Sequence, residues 1–225
     1  MNKRYVVFKS FLTHDEQQAL CRESLECHTK HASAGDTIDM NTVPLLEASK
    51  TFSLGINCGG NVRPVLPLAA SKLQQAFLQA QESCGESAMQ ILTKDSTPLT
   101  GLVLLYGPNA HMKPHYDSPT QPGQRHEWLA CISLGATANF RCNQDVLQLE
   151  SGDALVMDSM AVLHGVEGIV PSDGSVKLGL PPQCRLGILM WQANNSPMTK
   201  HVPANDALLD GVGNLFADSD DSDDE

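Results

Sequence analysis

A histidine and an aspartate one residue apart, His115-Tyr116-Asp117, then a distant histidine, His164, and an arginine, Arg185, are the residues whose types and spacing could do chemistry. Two imidazoles and one carboxylate can bind a redox-active iron on one face and leave the opposite face open for oxygen and a co-substrate. In an extended segment, side chains at i and i+2 point to the same side, so His115 and Asp117 can reach one ion from a single strand end or turn. His164 lies in Ala161-Val162-Leu163-His164-Gly165-Val166, a β-type run able to bring the third ligand alongside. Imidazole also suits copper and zinc, but one hard carboxylate with open positions favours ferrous oxygenase chemistry over a closed structural zinc site. The plain alternative is a chance His-x-Asp pair and a hydrogen-bonded core histidine, and the surrounding elements have to decide.

Those elements divide the chain into helices first and strands later. Thr13-His14-Asp15-Glu16 has the form of a capping box, predicting a helix to about Cys27. Leu66, Ala69, Leu73, Phe77 and Ala80 recur at threes and fours, predicting a second amphipathic helix. Residues 31–63 between them read as a loop-rich segment with Gly35, Gly55, Gly59 and Gly60, the length of a functional lid. After Ser83 come short strand-like runs at Leu102–Tyr106, Leu129–Leu134, Asn139–Arg141, Val146–Leu149, Ala154–Met157, Ala161–Val166 and Arg185–Trp191. Residues 167–183, rich in Pro and Gly, read as a long hairpin loop before the last strand. This order predicts an α+β domain, a double-stranded β-helix (jelly roll) with supporting N-terminal helices, whose open mouth can gather all three ligands.

Composition narrows the function classes. With 225 residues the chain can bury one sizeable core, expected over residues 1–205. No apolar run of 18 residues occurs and the start shows no cleavable signal, so a soluble, intracellular protein of the cytoplasm or nucleus with no membrane partner is expected. Seven scattered cysteines without a Cys-x-x-Cys pair argue for reduced thiols, with Cys131 and Cys184 as core filler. Of the net charge of −11, the block Asp218 to Glu225 carries −6, leaving the rest near −5. Such a like-charge block cannot pack, so residues 206–225 are expected to form a disordered acidic tail able to dock a basic partner. Ser219 and Ser222, each followed by acids, suit an acid-directed kinase; a plain solvating tail is the simpler reading. Neither part has the basic excess of a protein that grips long nucleic acid through many phosphates.

Taken together, Tyr106-Gly107-Pro108-Asn109-Ala110, His115-Tyr116-Asp117, Ile132-Ser133-Leu134-Gly135, Glu150-Ser151-Gly152-Asp153, His164-Gly165-Val166 and Cys184-Arg185-Leu186 resemble, in order and approximate spacing, the AlkB-like iron(II) and 2-oxoglutarate dioxygenases. The opening Phe11 to Gln17 is similar to that family's first helix, and the resemblance covers most of residues 5–193, thinly between 30 and 95. It implies that His115, Asp117 and His164 hold Fe(II), and that Tyr106 and Arg185 hold the distal carboxylate of 2-oxoglutarate. An arginine suits that task because its planar fork donates two parallel hydrogen bonds and stays charged when buried. It also implies oxidative decarboxylation of 2-oxoglutarate by O2 coupled to C–H hydroxylation, with formaldehyde released when the target is an N-methyl group.

The departures from the family pattern matter as much. Repair-type members usually carry a second arginine six residues after the first, where this chain has Trp191. Leu104 and Gly187 stand where asparagines are usual, so Arg141, Asn139 or another residue substitutes in steadying the iron-side carboxylate, or co-substrate binding is altered. Candidate substrate contacts are Tyr116, His111, Lys113, Arg125, His126, Trp128 and Trp191, each with a bland reading as barrel cap or solvated charge. Three hypotheses follow: a demethylase or hydroxylase of alkylated nucleic acid, single-stranded DNA or RNA, or of a nucleotide; the same chemistry on a protein side chain or a small metabolite; or a barrel retained as a binding module.

Overall fold

The computed structural model describes residues 4–31, 51–57, 66–84, 100–118 and 128–191. All of them fall within one unit, Met1–Asn194. Arg125, His126, the acidic tail and most of the expected lid lie outside the described residues.

Two antiparallel sheets form the body. The larger is built from β1 (Tyr5–Phe8), β2 (Thr51–Asn57), β3 (Thr100–Tyr106), β5 (Trp128–Gly135), β8 (Ala154–Asp158) and β10 (Arg185–Trp191), in the spatial order β1-β8-β5-β10-β3-β2. The smaller contains β4 (Met112–His115), β6 (Thr137–Cys142), β7 (Asp145–Leu149) and β9 (His164–Val170), ordered β4-β9-β6-β7. This is the expected jelly roll, with helices α1 (His14–His31) and α2 (Pro67–Cys84) bracing the larger sheet.

The helices form where the sequence demands. At the start of α1 the Thr13 amide donates to Glu16 Oε2 at 2.9 Å and the Glu16 amide donates to Thr13 Oγ1 at 3.3 Å, a reciprocal capping box. Lys72 of α2 donates to the same Glu16 carboxylate, and Glu23 of α1 accepts from the amides of Leu68 and Ala69 at 2.9 and 3.0 Å, so each helix helps fix the other. The apolar stripe Leu66, Ala69, Leu73, Phe77 and Ala80 is buried against Val103, Leu105, Ile132, Val156, Leu186 and Ile188. With one face under the helices and the other under the second sheet, β5 needs apolar residues on both sides, which is why it reads as a continuous run rather than an alternation.

The Glu16 contacts carry a pH signature. Lys72 and the Thr13 amide hold the Glu16 carboxyl below its usual pKa despite a small opposing effect of burial. Its stabilisation is therefore complete above the unfolded glutamate pKa of about 4.3 and fades as pH falls through the lower folded value. Glu16→Gln is expected to cost about 1 kcal/mol or less at neutral pH, because the pair is partly solvent-screened. Chemical denaturation should show the two proteins converging near about pH 2.

Several elements differ from the sequence reading. Strand β9 begins at His164 rather than Ala161, because the amides of Ala161 and Val162 close a turn onto the Asp158 carbonyl. It then runs on to Val170, and residues 171–184 hold a short helix, α3 (Gly174–Lys177). The connection to β10 is not a hairpin, since β9 and β10 belong to different sheets and the chain crosses between layers. Strand β2 lies inside the segment read as a lid, and β1 and β4 were not expected as strands.

Candidate metal and co-substrate site

The smaller sheet places two of the three candidate ligands on one rung, with the third just beyond the strand end. His115, the last residue of β4, is the direct cross-strand partner of His164, the first of β9, and their rings lie 4.4 Å apart. The register slips between Met112 and His115, and β4 bulges closely over Gly165. A Cβ on Gly165 would come within 2.6 Å of the Met112 carbonyl oxygen, so only glycine lets the two histidines meet. Asp117 follows two residues later, its amide tied to the Ser159 carbonyl at 3.0 Å.

Each histidine presents the same nitrogen to the site. Nδ1 of His115 lies 2.9 Å from the Lys113 carbonyl and Nδ1 of His164 lies 2.9 Å from the Val162 carbonyl. A carbonyl only accepts, so both Nδ1 atoms carry hydrogen and both Nε2 lone pairs are left for an ion. Asp117 Oδ1 lies 3.5 Å from His115 Nε2 and 3.7 Å from His164 Nε2, and one ligand atom from each of the three residues can be chosen within 4.8 Å of the others. Ligand atoms about 2 Å from a shared ion at right angles sit about 3 Å apart, so the donor set fits a divalent metal after small adjustments.

The electrostatics suit the same role. Burial pushes the Asp117 carboxyl up, but the His115 hydrogen bond, the His164 charge, the Trp191 indole and Ser159 outweigh it, and the net pKa is lowered. Burial works against a charge on His115, yet Asp117 and the Lys113 carbonyl leave its pKa raised. At His164 burial is the largest effect and, with His115 nearby, lowers the pKa against the pull of Asp117 and the Val162 carbonyl. The ring of Phe140 stacks on His164 at 6.4 Å and shields it.

Across the barrel interior, β10 contributes Arg185, Gly187, Leu189 and Trp191 to one face, while Leu186, Ile188 and Met190 enter the helix-side core. Arg185 is 1% exposed and is among the largest fully buried side chains. Its Nε donates to Ser133 Oγ at 3.1 Å, Nη2 lies 3.9 Å from Cys131 Sγ, and Cζ sits 5.2 Å from the ring centre of its cross-strand partner Tyr106. Burial pushes the Tyr106 phenol well up, with Arg185 pulling the other way, so the hydroxyl remains a neutral donor. Gly187 makes room for this guanidinium, since a Cβ there would stand 3.0 Å from Arg185 Nη1. Among the described residues no carboxylate forms an ion pair with Arg185, so a buried cation waits beside neutral partners.

The structure redistributes several sequence expectations. Trp128 is not at the site: it lies on the helix-facing side of the larger sheet, against the core, because β5 alternates and Ser133 and Cys131 take the inner face. Asn139 and Arg141 alternate with buried Ala138, Phe140 and Cys142, so they face away from His164, and Arg141 is held by Glu167. Neither can substitute for the missing asparagines. His111, Lys113 and Tyr116 are exposed beside the ligands, and Lys113 acts through its carbonyl. Trp191 turns inward, its indole Nε1 donating to Asp117 Oδ2 at 2.8 Å. Cys184 is core filler as expected, whereas Cys131 lines the barrel interior. Ser133 was missed, although a lone hydroxyl inside the apolar run Leu129–Leu134 was a readable signal.

A family model described as the 2OG-Fe(II) oxygenase superfamily matches residues 4–189. The chain belongs to that superfamily. The oxygenase is accordingly an oxidoreductase that uses Fe(II), 2-oxoglutarate and O2. Among solved structures it is similar to OsALKBH1, an AlkB homologue, with 22% identity, a TM-score of 0.57 and coverage of 86% of this chain and 99% of that one. It is also similar to a prolyl-4-hydroxylase from Pseudomonas putida, with 15% identity, a TM-score of 0.51 and coverage of 86% and 94%. HygX from Streptomyces hygroscopicus, solved with nickel and 2-oxoglutarate bound, shares 11% identity and a TM-score of 0.52 over 86% of this chain and 84% of that one. At such identities these likenesses concern the fold. No curated protein sequence matches the oxygenase. No helix among its described residues is long and apolar enough to cross a membrane.

Proposed function

We propose that this oxygenase binds Fe(II) through His115, Asp117 and His164, anchors the distal carboxylate of 2-oxoglutarate on Arg185 with Tyr106 and Ser133, and hydroxylates alkyl groups on nucleic acid or nucleotides in the AlkB-like manner. When bound, iron and 2-oxoglutarate supply the oxidising chemistry, in which one atom of O2 enters a substrate C–H bond and the other enters succinate as carbon dioxide leaves. The chain's own contributions are geometric and electrostatic. The two Nδ1–H···O=C bonds fix the imidazole tautomers, the buried guanidinium sets the co-substrate's far end, and Leu104 and Phe140 keep the chamber dry. Residues 206–225 are assigned as an acidic appendage outside the catalytic domain.

The observation that favours nucleic acid is Tyr116. It is 56% exposed although it lies between two candidate ligands, and Lys113 and His111 are exposed just before it. An aromatic face beside a cation at the rim suits a base from a single strand. The second reading, a protein side chain, is favoured by Trp191 standing where a second arginine is usual and by the acidic balance of the chain. The test is succinate release by the full chain with methylated single-stranded oligonucleotides, methylated nucleotides and proline- or lysine-rich peptides. Succinate and formaldehyde are expected to appear together with the oligonucleotides, to fall as salt rises, and to drop about tenfold in Tyr116→Ala. Turnover with peptides alone would transfer the assignment to the second reading, and iron-dependent turnover with none of them would favour the binding module.

A further inference from the structure

The two oxygens of Asp117 have different surroundings. Oδ1 faces the Nε2 atoms of His115 and His164 at 3.5 and 3.7 Å, whereas Oδ2 accepts the Trp191 indole N–H at 2.8 Å. The final torsion of an aspartate is broad, so its carboxylate does not choose by itself which oxygen it offers. An indole nitrogen can only donate, and it sits on a rigid ring at the C-terminal end of β10, the strand that begins with Arg185. A neutral donor also differs from a cation here: it orders the carboxylate without neutralising the charge the ion needs.

We propose that Trp191 is a positioning residue that holds Asp117 as a one-oxygen ligand, with Oδ1 presented to the metal and Oδ2 kept out of its reach. The inference rests on the assignment of His115, Asp117 and His164 as metal ligands. Sequence comparison alone makes Trp191 a lost arginine, whereas the hydrogen bond gives it a task of its own.

The test uses the full chain and cobalt(II) as the probe ion. Trp191→Phe keeps a ring and loses the donor; Trp191→His returns a ring N–H. Cobalt(II) affinity is expected to fall about tenfold in the Phe variant, with an altered ligand-field spectrum, and to recover in part in the His variant. A Phe variant that binds cobalt(II) with unchanged affinity and spectrum overturns the proposal while leaving the metal site standing. A wild-type chain that binds no cobalt(II) removes the site itself and this role with it. Should the Phe variant fail to fold, the indole N–H is read directly in otherwise native protein. The chain has two tryptophans, so Trp128→Phe assigns the Nε1–H signals. The Trp191 signal is expected to exchange slowly with solvent and to do so much faster in Asp117→Ala. Equal exchange in the two proteins overturns the proposal.

Discussion

Arg185→Met is expected to raise the KM for 2-oxoglutarate by about 100-fold or more while leaving the free protein as heat-stable as the wild type, or more so. The first half follows from losing the single guanidinium found in the chamber among the described residues, since removing one partner of a desolvated, hydrogen-bonded charge pair costs about 2–5 kcal/mol. The second half follows from the neutrality of its present partners, the Ser133 hydroxyl, the Cys131 thiol and the Tyr106 ring. A buried charge without a counter-ion is a cost to the fold, and an apolar side chain of similar length removes it. Steady-state kinetics in 2-oxoglutarate checks the first effect. Melting curves of the free proteins check the second, and in the same measurement the added stability that co-substrate gives the wild type should vanish in the variant. An unchanged KM would place the distal carboxylate elsewhere.

Asp117→Ala is expected to lower iron-dependent succinate release by about 1000-fold or more, the several kcal/mol that a bound ion supplies. The same change should make metal-free protein more sensitive to acid. Burial disfavours a charged His115, but Asp117 and the Lys113 carbonyl overcome it and raise the pKa. His115 therefore contributes stability that is complete below the unfolded histidine pKa of about 6.5 and is lost as pH rises through the higher folded value. His164, whose pKa burial lowers against the pull of Asp117, works the opposite way; without the carboxylate both rings lose the partner of their charge, and acidification costs more stability over that window. Denaturation in chelator near about pH 5.5 and pH 8 should show the variant losing more stability on acidification than the wild type, and a variant with the wild-type profile would refute the pairing.

What could be read in advance depended on how each element is paid for physically. The stripe from Leu66 to Ala80 is buried at every expected position because one helix face meets one sheet, a one-to-one translation of spacing into burial. Likewise β5 and β10 were visible as runs because both of their faces are covered. Strand β4 was not: Met112-Lys113-Pro114-His115 has one apolar aliphatic residue, and an edge strand with a bulge needs neither alternation nor a full ladder. In β2, the alternating Phe52, Leu54 and Ile56 were readable but were overridden by neighbouring glycines. At the site, the cluster of His115, Asp117 and His164 was legible because few residue types do that chemistry. The roles of Ser133 and Trp191 were not, since which face of a strand points inward depends on register, and register is set by partners far away in sequence.

Strand β4 has only four residues, is hydrogen-bonded among the described residues to β9 alone, and slips register between Met112 and His115. Such a strand is weakly held and is among the first parts of a sheet to fray. An ion shared by His115 and His164 would rivet it at its loosest rung, so loading the metal and stiffening the rim around Tyr116 become one event. The ion would thereby serve as a fastener for the doorway as well as a reagent.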